Sequence, residues 1–236
     1  MKKVLSVNFV KLSSKPKFVR TIRSFVRRSG RITEAQKHAW EKHWVPYGIE
    51  SGAEILDLSV LFENKNQRFV LEIGFGNGEN LIDCAKNDPH SNFAGIEVYH
   101  SGIGQCLIDA NKYSLKNLRL FCDDAVDVLN KQIANESFDM INIFFPDPWP
   151  KKRHHKRRLI TKDFISLIES KLKPNAIVHI CTDWDDYAFN IKTLFNSMEE
   201  FKSLEKLPRR LQTKFEKKGL ALGHSIHEFA FQLLRY

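Results

Sequence analysis

Between Phe144 and Arg158 the chain reads FFPDPWPKKRHHKRR: an acid, Asp147, stands between two prolines, Trp149 follows, and a burst of positive charge ends the stretch. Each proline fixes its own φ and pushes the residue before it out of the helical region, so Asp147 is predicted to sit in a rigid extended turn. A carboxylate held that way can be aimed at a reacting group. Six of the eight residues from Lys151 to Arg158 are Lys or Arg and none is acidic, a footprint suited to phosphate contacts. A solvated charge run is the plain alternative; the buried-looking acid and Trp149 beside it favour a site.

A second cluster lies upstream. LEIGFGNGEN runs from an apolar strand into a helix with Gly74, Gly76 and Gly78 in a G-x-G-x-G array. Such glycines allow a tight turn and close approach of backbone to a ligand, and the helix start that follows favours electron-rich groups. A dinucleotide fingerprint of the form G-x-G-x-x-G needs glycine at 79, where the chain has Glu79. Glu72 weakens the pyrophosphate reading further: a carboxylate repels a diphosphate and attracts the cationic methionine moiety of S-adenosylmethionine. Glu97 ends the next strand and can take both ribose hydroxyls. Asp124 follows the third strand, directly before Ala125, and can accept from an adenine amino group; FCDDA offers Asp123 for the same task. Three acids at three successive strand ends suit an α/β sheet, which binds ligands at the carboxyl ends of its strands.

The elements that must position these residues follow from periodicity. From Arg68 the chain alternates short apolar runs (FVLEIGF, FAGIEV, LRLFC, FDMINIFF, AIVHICT) with stretches of helical length at about 79–86, 101–113, 125–132, 161–172 and 184–197. Runs apolar on both faces belong in a parallel sheet covered on each side. Lys173, Pro174 and Asn175 are read as the turn before the fifth strand. The tail offers FKSLEKL, a long basic loop and HEFAFQLL, two strands with no helix between them, hence a closing antiparallel hairpin. Upstream, Thr33 and Gln36 form a capping-box pair that starts a helix through Trp40 and Trp44, stopped by Pro46 and Gly48; its aromatics are read as packing. Ile55 to Phe62 reads as a second short helix.

Charge is unevenly spread. The net +9 of the 236 residues lies wholly in residues 1–50, with twelve Lys or Arg against three Glu, while the remainder balances at 25 and 25. Residues 1–50 are therefore a basic arm with a short helix, flexible or partly ordered over its first 31 residues, and residues 51–236 form one domain. An anionic partner is implied. No stretch approaches the roughly 18 apolar residues needed to span a bilayer, and the N-terminus lacks a signal-peptide pattern, so a cytoplasmic protein is expected. Cys84, Cys106, Cys122 and Cys181 are scattered, with no C-x-x-C pair, and are read as free thiols; no metal site is expected, since strand spacing points His224 and His227 to opposite faces.

Taken together, RITEAQKHAWEKHWVPYG, LEIGFGNGEN, GIEVY, DDAVDVL, FFPDPWPKKRHHKRR, TDWDDYA and TKFEKKGLALGH make the chain resemble the class I S-adenosylmethionine-dependent methyltransferases, and among them the bacterial tRNA (guanine-N7)-methyltransferases. The resemblance implies a Rossmann-like, seven-stranded, mostly parallel sheet with helices on both faces, S-adenosylmethionine as cofactor, and tRNA as partner, modified at a variable-loop guanine (position 46). It places cofactor contacts on Glu72, Gly74, Gly76, Glu97, Asp124 and Asp147, and makes Asp147 the catalytic residue. RNA and guanine contacts fall on Lys151, Asp183, Thr213, Lys214, Phe215 and Glu216. Arg153, His154, His155, Lys156, Arg157 and Arg158 join them through the charge run.

The chemistry is consistent with that expectation. Guanine N7 carries a lone pair and no proton, so the enzyme's main task is placement, worth roughly 7–11 kcal/mol of barrier, and a fixed carboxylate such as Asp147 can stabilise the charge that moves into the purine. Asp183 and Glu216 are candidates to accept from guanine N1 and N2, although Asp183 also reads as a helix N-cap. Trp149 or Phe215 could stack on an exposed base or simply pack. Two rivals remain. An exocyclic-amine methyltransferase has a related acid/proline/aromatic motif, commonly with adjacent prolines, whereas Asp147 here separates Pro146 from Pro148. A non-catalytic RNA-binding module is disfavoured by the intact acids. The oligomeric state, monomer or homodimer, is left open.

Overall fold

A computed structural model of the protein describes residues 23–25, 32–62 and 64–235. Apart from residues 23–25, the expected basic arm over residues 1–31 lies outside the described residues.

The capping box opens the first helix. Thr33 Oγ1 accepts from the Gln36 N–H at 3.3 Å and Gln36 Oε1 accepts from the Thr33 N–H at 3.0 Å, starting α1, Glu34–Tyr47. Pro46 falls inside its last turn instead of ending it. Trp40 and Trp44 pack on each other at 4.5 Å, and the Trp40 indole N–H donates to the His100 carbonyl at 2.9 Å, as expected of packing aromatics. The short strand β1, Gly48–Ile49, follows. Of the helix expected over 55–62 only one turn forms, α2, Leu58–Leu61, capped by Asp57.

The alternation from Arg68 onward folds as its apolar runs require. It comprises β2 (Arg68–Ile73), α3 (Glu79–Asn87), β3 (Ser91–Glu97), α4 (His100–Lys112), β4 (Leu118–Cys122), α5 (Ala125–Lys131), β5 (Phe138–Phe144), α6 (Lys162–Lys171), β6 (Leu172–Thr182), α7 (Asp185–Asn196), β7 (Phe201–Ser203), α8 (Lys214–Ala221) and β8 (His227–Leu233). The sheet order is β1-β4-β3-β2-β5-β6-β8-β7, parallel except where β8 runs against β6 and β7. The seven expected strands are joined by an eighth, because two residues after α1 pair with β4 at its outer edge. Burial explains the parallel arrangement: Leu71, Ile73, Ile141, Ile143, Val178 and Ile180 face one layer of helices, and Val70, Phe93 and Met140 face the other.

Three local readings change. Lys173–Asn175 is no turn: β6 already begins at Leu172, pairs with Phe138, and shifts register before Met140, with Asn175 taking a φ of 62°. The outer strand of the hairpin is only three residues long. The "basic loop" contains α8. Thr213 caps it, its Oγ1 accepting from the Glu216 N–H at 3.3 Å, a T-x-x-E signature present in the sequence.

Candidate functional site

At the carboxyl ends of β2 and β3 the chain turns through Gly74, Gly76 and Gly78, all with positive φ (74°, 56° and 80°). A side chain at Gly74 would meet nothing within 4 Å and would project into the open cleft, and the positive φ values at these positions favour glycine. Glu97 fastens this loop: one oxygen accepts from the Gly76 N–H at 2.8 Å, the other from Val98 N–H at 2.6 Å and Tyr99 N–H at 3.1 Å. Burial raises the Glu97 pKa; the three N–H donors oppose that rise, and the nearby Asp147 carboxylate adds to it.

Glu72 lies deeper, with Oε2 accepting from the Asn80 amide at 2.6 Å. Burial pushes it up to about 7, opposed by that amide and assisted by Glu97. The two hollows above these residues share Gly74, Glu97, Tyr99, Phe144, Phe145 and Asp147 and hold about 140 and 220 Å³. Ile73, Ile96 and Leu159 line the first with Asp123 and Ala125; Glu72, Gly76 and Asn80 line the second with Thr213, Lys214 and Phe215. Ser24 and Phe25 also wall the first. The result is an elongated cleft, acidic where it meets the sheet and apolar along its sides, which fits a cationic amino acid joined to a nucleoside.

The acids do not behave identically. Asp124 caps α5, its Oδ1 accepting from the Val126 N–H at 2.8 Å, and is 6% exposed. Asp123 stands on the cleft wall, with Oδ2 accepting from the Ser51 hydroxyl at 2.8 Å.

The turn after β5 brings Asp147 to both hollows, exposed at their mouth instead of buried as its setting suggested. Its rigidity comes from more than proline. Phe145 and Trp149 adopt φ values of 50° and 47°, strained for large side chains and sustained only where surroundings dictate them. The restraints are identifiable. Phe145 N–H donates to the Cys181 carbonyl at 2.8 Å, Arg158 Nε donates to the Pro148 carbonyl at 2.9 Å, and the Trp149 indole donates to the Ser24 carbonyl at 2.9 Å. Trp149 is therefore a packing residue, with Arg157 over its ring at 4.9 Å and His154 at its edge.

Residues Lys152–Arg157 wind into a 3₁₀ turn that sorts the charge run. Lys151, Lys152, Arg153 and Lys156 are exposed, while His154, His155 and Arg157 are half-buried. Arg158 departs from the expected phosphate-facing role: its side chain is 4% exposed, it bonds Asp186 at 2.5 Å, and it lies over the Tyr187 ring at 4.8 Å. It staples the Asp147 turn to α7.

Asp183 follows β6 but does not cap α7; Trp184 occupies that position, and Asp183 Oδ2 meets His224 Nδ1 at 2.9 Å. His227 meets Asp185 at 2.7 Å, so the two histidines serve separate acids, and no metal-binding cluster occurs among the described residues. Glu216 departs from the expected guanine-facing position. It is buried, both oxygens take Arg210, and Arg210 also bonds Glu228 at 2.8 Å. Phe215 remains 68% exposed beside the cleft. Sequence reasoning passed over Asn80, although it stands two residues past the glycine array. It weighed His224 only as a metal ligand and took Arg210 for a phosphate contact, whereas the Arg210 side chain, 9% exposed, lies between Glu216 and Glu228.

Among known proteins, a family model described as a putative methyltransferase matches residues 66–229. The chain is 44% identical over 234 residues to a tRNA (guanine-N(7)-)-methyltransferase of Pseudoalteromonas translucida (strain TAC 125), covering 96% of this chain and 97% of that one. It is 46% identical over 216 residues to a protein of the same name from Nitrosococcus oceani, covering 90% and 91%. Among solved structures, the aminoglycoside resistance methyltransferase NpmB1 aligns over 90% of this chain and 98% of its own with a TM-score of 0.51 at 13% identity. The tRNA (m1A58) methyltransferase TrmI from Aquifex aeolicus covers 76% of this chain and 67% of its own at 0.50 and 14%. Both share the sheet and its helical layers.

Proposed function

The chain belongs to the tRNA (guanine-N(7)-)-methyltransferase family, and we propose that it methylates N7 of the variable-loop guanine of tRNA in the cytoplasm, with Asp147 at the reacting centre. The observation that carries this reading is the position of Asp147, on a restrained turn at the mouth shared by both hollows. S-adenosylmethionine supplies, when bound, an electrophilic methyl group on a sulfonium. Glu72 and the Gly74–Gly76 turn would hold its amino-acid end, Glu97 the ribose, and Asp124 the adenine amino group through the oxygen not used in capping, with Asp123 alongside.

With that donor bound, the lone pair of guanine N7 would take the methyl group while the carbon–sulfur pair stayed with sulfur, so the positive charge would pass to the purine. No proton leaves the attacked atom. Asp147 orients the base and stabilises the positive charge arriving on it, a task for a fixed carboxylate and not for a general base. Asp183, steadied by His224, accepts from guanine N1 and N2, and the exposed lysines and arginine of the 3₁₀ turn hold phosphates. Glu216 acts from behind, its pairing with Arg210 fixing the segment that presents Thr213, Lys214 and Phe215. The test is transfer from labelled cofactor to total tRNA, followed by nucleoside analysis and borohydride/aniline cleavage. Label at N7 of the variable-loop guanine is expected; label on an exocyclic amine would overturn the reading.

Donor binding should depend on pH through Glu72. Its pKa of about 7 in the protein exceeds the unfolded value, so its protonated form stabilises the donor-free fold at low pH. That contribution, on the order of 3 kcal/mol, is lost as pH rises from about 4.5 through 7. A cationic donor favours the ionised form, so S-adenosylmethionine should raise the melting temperature more at pH 8 than at pH 6. Equal shifts at both pH values would remove Glu72 from the donor site.

A further inference from the structure

Asn80, 1% exposed, is the second residue of α3 and joins two parts of the site through one amide. Its Nδ2 donates to Glu72 Oε2 at 2.6 Å, and its Oδ1 accepts from the main-chain N–H of Leu211 at 2.8 Å. A weak contact from the Cys84 thiol reaches the same Oδ1 at 3.8 Å. The amide has one orientation: the carboxylate needs a donor and the Leu211 N–H needs an acceptor. Glu79, its neighbour, accepts from the Lys214 N–H at 2.9 Å and pairs with the Lys214 ammonium at 3.1 Å. The first turn of α3 thus grips residues 211–214 at two main-chain points. Residues 213–215 line the same hollow as Glu72.

We propose that Asn80 is a positioning residue that couples the two substrates, seating the 211–216 segment for guanine when the donor occupies the Glu72 end of the cleft. The proposal rests on the reading that Glu72 meets the donor and that residues 213–215 meet the RNA. The physical route is short. A cationic donor favours the ionised form of Glu72, the ionised carboxylate holds the Asn80 amide N–H more firmly, and the fixed amide holds the N–H of Leu211. By linkage, whatever factor the donor adds to tRNA affinity, tRNA adds to donor affinity.

The measurement is the dissociation constant of unmodified tRNA with and without sinefungin, a cationic, non-transferring donor analogue, together with that of sinefungin for the free enzyme. The wild-type protein should bind tRNA at least about fivefold more tightly with the analogue. Asn80→Ala should bring that ratio to about one. A residue that merely supports the fold would weaken both affinities and leave the ratio standing. Leu211→Pro removes the donated N–H in an irregular segment while leaving the Asn80–Glu72 bond, so it carries the test if the buried alanine does not fold. A wild-type ratio of one, or an unchanged ratio in either folded variant, overturns the proposal. Glu72→Gln separates the two ideas. If it leaves sinefungin affinity intact, the donor reading fails. If it weakens sinefungin while Asn80→Ala or Leu211→Pro keeps the wild-type ratio, only the coupling fails.

Discussion

Asp147→Ala is expected to lower single-turnover methyl transfer by about 10²- to 10³-fold, the scale lost when one preorganised electrostatic group is removed from a reacting centre, with tRNA affinity nearly unchanged. The side chain stands at the cleft mouth, while the turn is held by the Phe145 N–H on the Cys181 carbonyl and by the Arg158 side chain on the Pro148 carbonyl, so the fold should survive. Asp147→Asn isolates charge from shape: similar loss in both variants assigns the effect to the carboxylate's charge, and near-wild-type rates in the amide assign it to placement of the base. Rates, filter binding and melting curves suffice. Unchanged turnover in the alanine variant would refute the role.

The second large effect should divide the basic run in two. Lys152, Arg153 and Lys156 are exposed on the 3₁₀ turn. Replacing all three with alanine should flatten the slope of log affinity against log salt by about 2.7, if each neutralises one phosphate, and weaken tRNA binding about 10²-fold near physiological salt. Melting should not move. Arg158→Ala should do the reverse. It strips the Pro148 carbonyl of its donor and the Tyr187 ring of its cation, a cost of about 2 kcal/mol, or about 4–8 °C in melting temperature for a chain of this size. Its salt slope should match the wild type. A shifted slope and an unmoved melting temperature for Arg158→Ala would return it to the phosphate-binding set.

Why the run divides this way lies in what local patterns record. Eight residues with six positive charges announce an anionic partner, but they do not say which of them a 3₁₀ turn will point inward. Arg158 is buried because Asp186 and Tyr187, on a helix nearly thirty residues later, supply its partners. Glu216 is similar. Its T-x-x-E spacing marks a helix start, yet the carboxylate that such a box would return to its own cap is taken by Arg210, itself held by Glu228 across the hairpin. The Lys173–Asn175 turn fails for the opposite reason: a proline-containing triplet is a sound local turn signal, and the sheet overrides it by beginning the strand early.

The alternation of strands and helices from β2 to α7, the glycine turn, the acids at successive strand ends and the PDPW corner were legible in the amino-acid sequence, because periodicity, φ restriction and charge are properties of neighbouring residues. Only the tertiary structure decided which acid lines the cleft and which caps a helix, which arginine meets solvent, and that one buried amide joins Glu72 to the 211–216 segment. Those outcomes depend on partners distant in sequence, 131 residues apart for Asn80 and Leu211, and on the burial that makes each such pairing obligatory.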